Sequence, residues 1–211
     1  MSGLFLFERN IIMNKVILAI CVGFLCAISI VCSVNSIHEK AANSVIRLHI
    51  RANSNSKEDQ ELKLKVRDAI LKEAKNVFGD ITDIQKAREY AKESTRIINE
   101  IAQNEIVKNG YNYNVRTSFG KADFPTKTYA DMTLPAGTYE AMTVEIGSGE
   151  GNNWWCVMFP PLCFVEETVA VVDDKTEKIL IQNMGKDTYS MLKDNKIQIK
   201  FKIYEAFKQM K

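Results

Sequence analysis

The chain has 211 residues and a formal net charge of +2, with 28 lysines and arginines against 26 acids. That length suits one sizeable domain, and the near-balance of charge excludes the strong basic excess that a large nucleic-acid footprint requires. The basic residues are interspersed with acids rather than clustered.

Residues 1–15 read as a cytoplasmic N terminus. Val16 to Val34 carries no charge and no proline. At the helical rise its length is about 28 Å, roughly that of a bilayer core. Met13-Asn14-Lys15 resembles the n-region of a bacterial export signal, so Met13 competes with Met1 as the start. Residues 16–34 are therefore expected to be a transmembrane anchor or a signal peptide. Ser33 and Ser36 suit a cleavage site and the length suits retention, so both alternatives stand. Cys32 follows Ile30-Val31, which is a poor lipobox. In either case the remaining chain crosses the membrane, with residues 35–43 as a tether and 44–211 as an extracytoplasmic domain.

Within that domain, Val45 to Ala52 alternates strictly. Ile46, Leu48 and Ile50 share one face, and Arg47, His49 and Arg51 share the other, the pattern of a half-buried strand. Asn53 to Ser56 turns the chain, and Ser56 with Asp59 opens a helix in the manner of a capping box. Leu62, Val66, Ala69, Ile70 and Val77 form its apolar stripe, and Gly79 closes it. Asp80 or Thr82 is expected to cap a second helix with Ile84, Ala87, Ala91, Ile98, Ile101 and Ala102 facing inward, ended by Asn109-Gly110. Tyr111 to Phe119 alternates again, residues 124–129 continue extended, and Pro135-Ala136-Gly137 turns into a strand over Thr138 to Ile146. Residues after Val172 read as polar and poorly patterned, and Lys196 to Tyr204 as a last strand. The order strand, two helices, several strands predicts an α+β fold, with the helix pair on one face of a mostly antiparallel sheet.

The densest stretch is Gly147 to Phe164. Three glycines and two asparagines imply a shaped loop. Trp154 to Phe159 reads as a short buried strand, which Pro160-Pro161 stops. Strand alternation sends the rings of Trp154 and Trp155 to opposite sides, one to the core and one toward a groove, a partner or solvent. Both rings in the core is the competing reading. Three of the five cysteines (Cys21, Cys26, Cys32) lie in the apolar N-terminal run. The remaining pair, Cys156 and Cys163, either forms a disulfide in an oxidising compartment or stays as two buried thiols.

The inventory of reactive groups is thin. His38, His49, Cys156 and Cys163 have no metal-ligand spacing, and Gly147-Ser148-Gly149 precedes a strand rather than a helix. Catalytic, metal-binding and cofactor-binding residues are accordingly assigned as none, and neither nucleic acid nor a small-molecule substrate is expected. A nucleophile drawn from Cys156 and His49 is the one enzymatic alternative, in a cell-wall-binding or cysteine-dependent wall-modifying protein.

Several motifs resemble one family. Arg47 to Ser56 resembles the R-L-x-I-x-A-N-S-x-S opening of stage II sporulation protein R from endospore-forming bacteria, as do Gln60, Leu62-Lys63 and Val66 to Ala69. Residues 124–129, 135–141 and Asn153 to Phe164 resemble it further along, in the same order. The resemblance implies a protein made in the forespore and exported into the space between forespore and mother cell. There it would activate a membrane-bound aspartic protease that removes the pro-sequence of the mother-cell factor sigma E. The chain would be a signal, with a protein receptor as partner and its N-terminal segment at the membrane. The expected partner-binding residues are Asn153, Trp154 and Trp155 with their glycine-rich approach, followed by Arg47, His49 and Arg51.

Overall fold

The computed structural model describes residues 2–164 and 171–193. It divides into two units, residues 1–39 and residues 40–211.

Helix α1 runs over Ser2–Asn43. It contains the apolar run, in which the described apolar side chains, among them Ile17, Leu18, Ile20, Phe24 and Leu25, are exposed. Among the described residues no helix is long and apolar enough to cross a membrane. The side chains of Val16, Ile30, Val31 and Val34, which belong to the expected membrane segment, lie outside the described ones. The expected tether over 35–43 is helical. It contains neither glycine nor proline, and Ala41 is fully buried, so packing as well as propensity favours the helix there.

The second unit holds β1 (Ile46–Arg51), α2 (Lys57–Phe78), α3 (Ile84–Lys108), β2 (Val115–Phe124), β3 (Lys127–Tyr129), β4 (Met132–Leu134), β5 (Gly137–Ile146) and β6 (Asn153–Phe159). A 3-10 turn over Leu162–Phe164, α4 (Asp174–Met184) and α5 (Lys186–Lys193) follow. Four strands form one sheet in the order β2-β5-β1-β6, and β3 with β4 makes a separate small hairpin. β1 runs parallel to β5, while the β1–β6 and β2–β5 pairings are antiparallel. The fold is thus α+β with a mostly antiparallel sheet.

The helix pair packs on one face. Ser56 caps α2 by accepting from the Asp59 amide, and Leu62, Val66, Ile70, Ala74 and Phe78 are buried along one stripe. Asp83, rather than Asp80 or Thr82, caps α3, its carboxylate accepting from the amides of Gln85 and Lys86. The inner side of α3 is rich in small residues (Ala87, Ala91, Ser94, Ala102), which lets its backbone come close to the sheet. Ile46, Leu48 and Ile50 of β1 and Met142, Val144 and Ile146 of β5 meet these helices in a single core.

The segment expected to be poorly patterned folds as α4 and α5. Asp173 caps α4 through the amides of Lys175 and Thr176. Thr176, Ile179, Leu180 and Met184 are buried at helical spacing, and Gly185 ends the helix at φ 85°. Thr188, Tyr189 and Leu192 bury the inner side of α5. Asn183 ties this pair to the rest, because its Oδ1 accepts the Ile84 amide, one of the orphan donors at the start of α3, and its Nδ2 donates to the Thr82 carbonyl. The Ser44 hydroxyl donates to the Asn183 carbonyl. The expected strand over 196–204, and Val169, lie outside the described residues.

Candidate functional site

The other face of the sheet is laid out by register. Pairing of β1 with β5 and β6, and of β5 with β2, sets side chains in transverse rows. One row is Gly120, Ala141, Arg47 and Val157; the next is Ser118, Thr143, His49 and Trp155; the third is Arg116, Glu145, Arg51 and Asn153.

The first row is covered. Arg47, expected on a half-exposed strand face, is fully buried. Its guanidinium lies 4.0 Å from the ring centroid of Phe124, 4.8 Å from that of Tyr139 and 5.7 Å from that of Tyr129. Nη2 donates to the Tyr129 hydroxyl at 2.6 Å, which brings the β3–β4 hairpin over this end of the sheet. Aromatic faces compensate part of the cost of burying the cation. Among the described residues Nε and Nη1 nevertheless have no acceptor, and no carboxylate pairs with the group. Burial pushes the Tyr129 phenol up from its ordinary value, against the pull of Arg47. Burial does the same to Tyr139.

The second and third rows are more open. The His49 ring stacks on Trp155 with centroids 3.7 Å apart, and its Nε2 lies 2.7 Å from Oδ1 of Asn153. Burial pushes the imidazole pKa below its ordinary value, opposed by the Asn153 hydrogen bond and reinforced by Arg51. The ring is therefore neutral at pH 7, and its Nε2–H donates to Asn153. Arg51 Nη1 and Arg116 Nη2 each reach one oxygen of Glu145, both at 3.0 Å.

Five of the six expected residues thus come together: Arg47, His49, Arg51, Asn153 and Trp155. Trp154 does not join them. It packs on the helix side against the core, with the Arg67 guanidinium 5.2 Å from its ring centroid. Phe124, Tyr129, Tyr139, Arg116 and Glu145 complete the face and were not singled out from sequence. The alternation of Tyr139, Thr143 and Glu145 was visible, but their neighbours depend on register.

The glycine-rich approach has an architectural role. Asn53 Oδ1 accepts the Ser148 amide, the Ser148 hydroxyl donates to the Asn53 carbonyl, and Asn55 Oδ1 accepts the Asn152 amide. A Cβ at Gly147, where φ is 61°, would sit 2.2 Å from Asn53 Oδ1, and one at Gly151 would sit 2.2 Å from the Ser54 carbonyl oxygen. The loop is therefore stitched to the turn over residues 53–56. Burial alone would raise the Asp59 pKa, but hydrogen bonds from Ser54 and Asn53 outweigh it and hold the group below its ordinary value. The buried Lys63 ammonium is pushed down by desolvation and donates to Gln60 Oε1 and the Asn152 carbonyl.

Cys156 and Cys163 are joined in a disulfide, with Cα atoms 5.6 Å apart, linking β6 to the 3-10 turn beyond the cis Phe159–Pro160 bond. Cys156 faces the helices, whereas His49 faces the other side, so the alternative thiol–imidazole pair is not assembled.

The family model described as stage II sporulation protein R matches residues 42–169, more than half of the chain. The chain belongs to the stage II sporulation protein R family. Its resemblance extends to the stage II sporulation protein R of Bacillus subtilis (strain 168), at 44% identity over 148 residues, covering 65% of this chain and 66% of that relative. The match therefore spans just under two thirds of that relative's length. No solved structure matches the chain. All five gathered residues lie inside the region matched to the stage II sporulation protein R family.

Proposed function

We propose that this chain is an exported sporulation signal that activates a membrane-embedded aspartic protease of the mother cell and so triggers processing of pro-sigma-E. Family membership supports the sporulation role. The apolar run over Val16–Val34 supports export into the space between forespore and mother cell, as a cleaved signal or a retained anchor. The protein acts as a ligand rather than a catalyst. The observation that carries the surface assignment is the gathering of Arg47, His49, Arg51, Asn153 and Trp155 on one sheet face opposite the helices. Tryptophan and arginine dominate binding hot spots, and a ring held by a sheet loses little freedom on docking.

The test is co-expression of protease and pro-sigma-E in a non-sporulating host, with and without this chain. Processing is expected only with it, and is expected to vanish when residues 16–34 are deleted. Processing that is indifferent to the chain overturns the reading.

A further inference from the structure

We infer that the two open rows of the sheet face bind an acidic, extended segment of the protein partner, whose carboxylates engage Arg116 and Arg51 and whose neighbouring apolar side chain lies on Trp155. This rests on the reading above that the face meets a protein, and it names the chemistry of that protein's contact.

Charge is the first argument. Across the three rows Arg47, Arg51 and Arg116 face a single acid, Glu145, and His49 is neutral. The excess on this one face equals the +2 of the whole chain. Arg116 is the most accessible of these cations, with its side chain 77% exposed against 40% for Arg51, while Glu145 is 24% exposed and shared between the two guanidinium groups. A second carboxylate would give each arginine its own partner.

Unmet hydrogen bonds are the second argument. Arg47 Nε and Nη1, and Arg51 Nε, are buried without an acceptor among the described residues. Such donors are rare in folded proteins, because each forfeits its bonds to water. Arg47 is too deep to touch a partner. Its charge, neutralised by no carboxylate among the described residues, lies one row from the open surface and reaches it through a low-dielectric interior.

The platform is the third argument. Trp155 is half-buried and backed by the His49 ring, so it offers a firm apolar surface beside the arginines. The carboxylate of Glu145 and the amide of Asn153 in the same row disfavour a dense polyanion such as a phosphate backbone. Spaced carboxylates on a peptide fit between them.

The experiment uses the full chain in detergent micelles and a short fluorescein-labelled Glu-Ser peptide carrying one Phe, with a Gln-for-Glu counterpart. Anisotropy should show the Glu peptide binding about tenfold or more tighter than the Gln peptide, an advantage lost at high salt. Arg116→Glu and Arg51→Gln should each weaken the Glu peptide about tenfold with unchanged thermal melts, and Trp155→Ala should weaken it to a similar extent while remaining folded. Equal binding of the two peptides, wild-type affinity in Arg116→Glu, or binding of phosphatidylglycerol vesicles but not of the peptide would overturn the inference. If the peptide fails while pro-sigma-E processing still requires the chain, the inference falls alone. If the peptide binds but processing ignores the chain, the proposed function falls alone.

Discussion

Trp154 and Trp155 are neighbours in sequence and belong to two different environments. The first lies on the helix face of the sheet, among Leu48, Ile50, Cys156 and Met158, and is packed beside Arg67. The second lies on the opposite face, stacked on His49 and close to Phe124. The helix face is apolar, with Leu48, Ile50, Val144 and Met158 fully buried. The opposite face holds a buried guanidinium with unmet donors and two arginines sharing one carboxylate. A core optimised for stability alone would replace the buried charge with an apolar side chain. One side of β1 therefore serves the fold, and the other is the side we propose meets a partner.

The sharpest way to break this comparison is Leu48→Ala on the helix face. Leu48 is fully buried in the central strand, so the loss should be about 2–5 kcal/mol in urea unfolding. A loss well under that range would mean the core lies elsewhere. Removing the disulfide with Cys156→Ser and Cys163→Ser together should cost about 2–3 kcal/mol, as expected for a short closed loop, read by the same unfolding curves with and without reductant.

The two tryptophans give a direct contrast. Both are half-buried, so each should lose less than the about 3–5 kcal/mol of a fully enclosed ring. Trp154→Ala should be the more destabilising, at about 2 kcal/mol, and should leave signalling intact wherever the protein is folded. Trp155→Ala should cost about 1 kcal/mol or less and should abolish pro-sigma-E processing. The reverse order in either assay would exchange the roles of the two faces.

The smallest effect should come from pH. The folded His49 pKa lies below the value of 6.5 for the free side chain. The unfolded chain therefore binds more protons than the folded one as pH falls below 6.5, so His49 removes stability on acidification and contributes none of that loss above it. His49→Gln should flatten the decline in melting temperature between pH 7.5 and pH 5. An unchanged slope would show that His49 is not desolvated against Trp155.

Much of the fold was legible locally. The strict alternation of Val45 to Ala52 assigned the two faces of β1. Ser56 and Gly79 bounded α2, and Pro160 ended β6. Helices α4 and α5 were missed because they are short and their apolar residues are few. Asp173 caps α4 from within a stretch that read as polar and unpatterned, and the Asn183 contacts that fix the pair reach back to residues 44, 82 and 84.

Periodicity, caps and breakers are local, and from them the sequence by itself determined which segments are strands or helices and which side chains share a side. It also placed Trp154 and Trp155 on opposite sides, since a strand leaves adjacent residues no alternative. Only the tertiary structure decided which ring met the helices, because that depends on β6 pairing antiparallel with β1 in one particular register. It alone decided that Arg47 is buried under Phe124, Tyr139 and Tyr129, the last 82 positions away, and that His49 bonds Asn153 at a separation of 104. No residue encodes its cross-strand neighbour. That neighbour is fixed when the whole sheet closes over α2 and α3, and the Arg47, His49 and Arg51 side of β1 takes its form as the remainder of that packing.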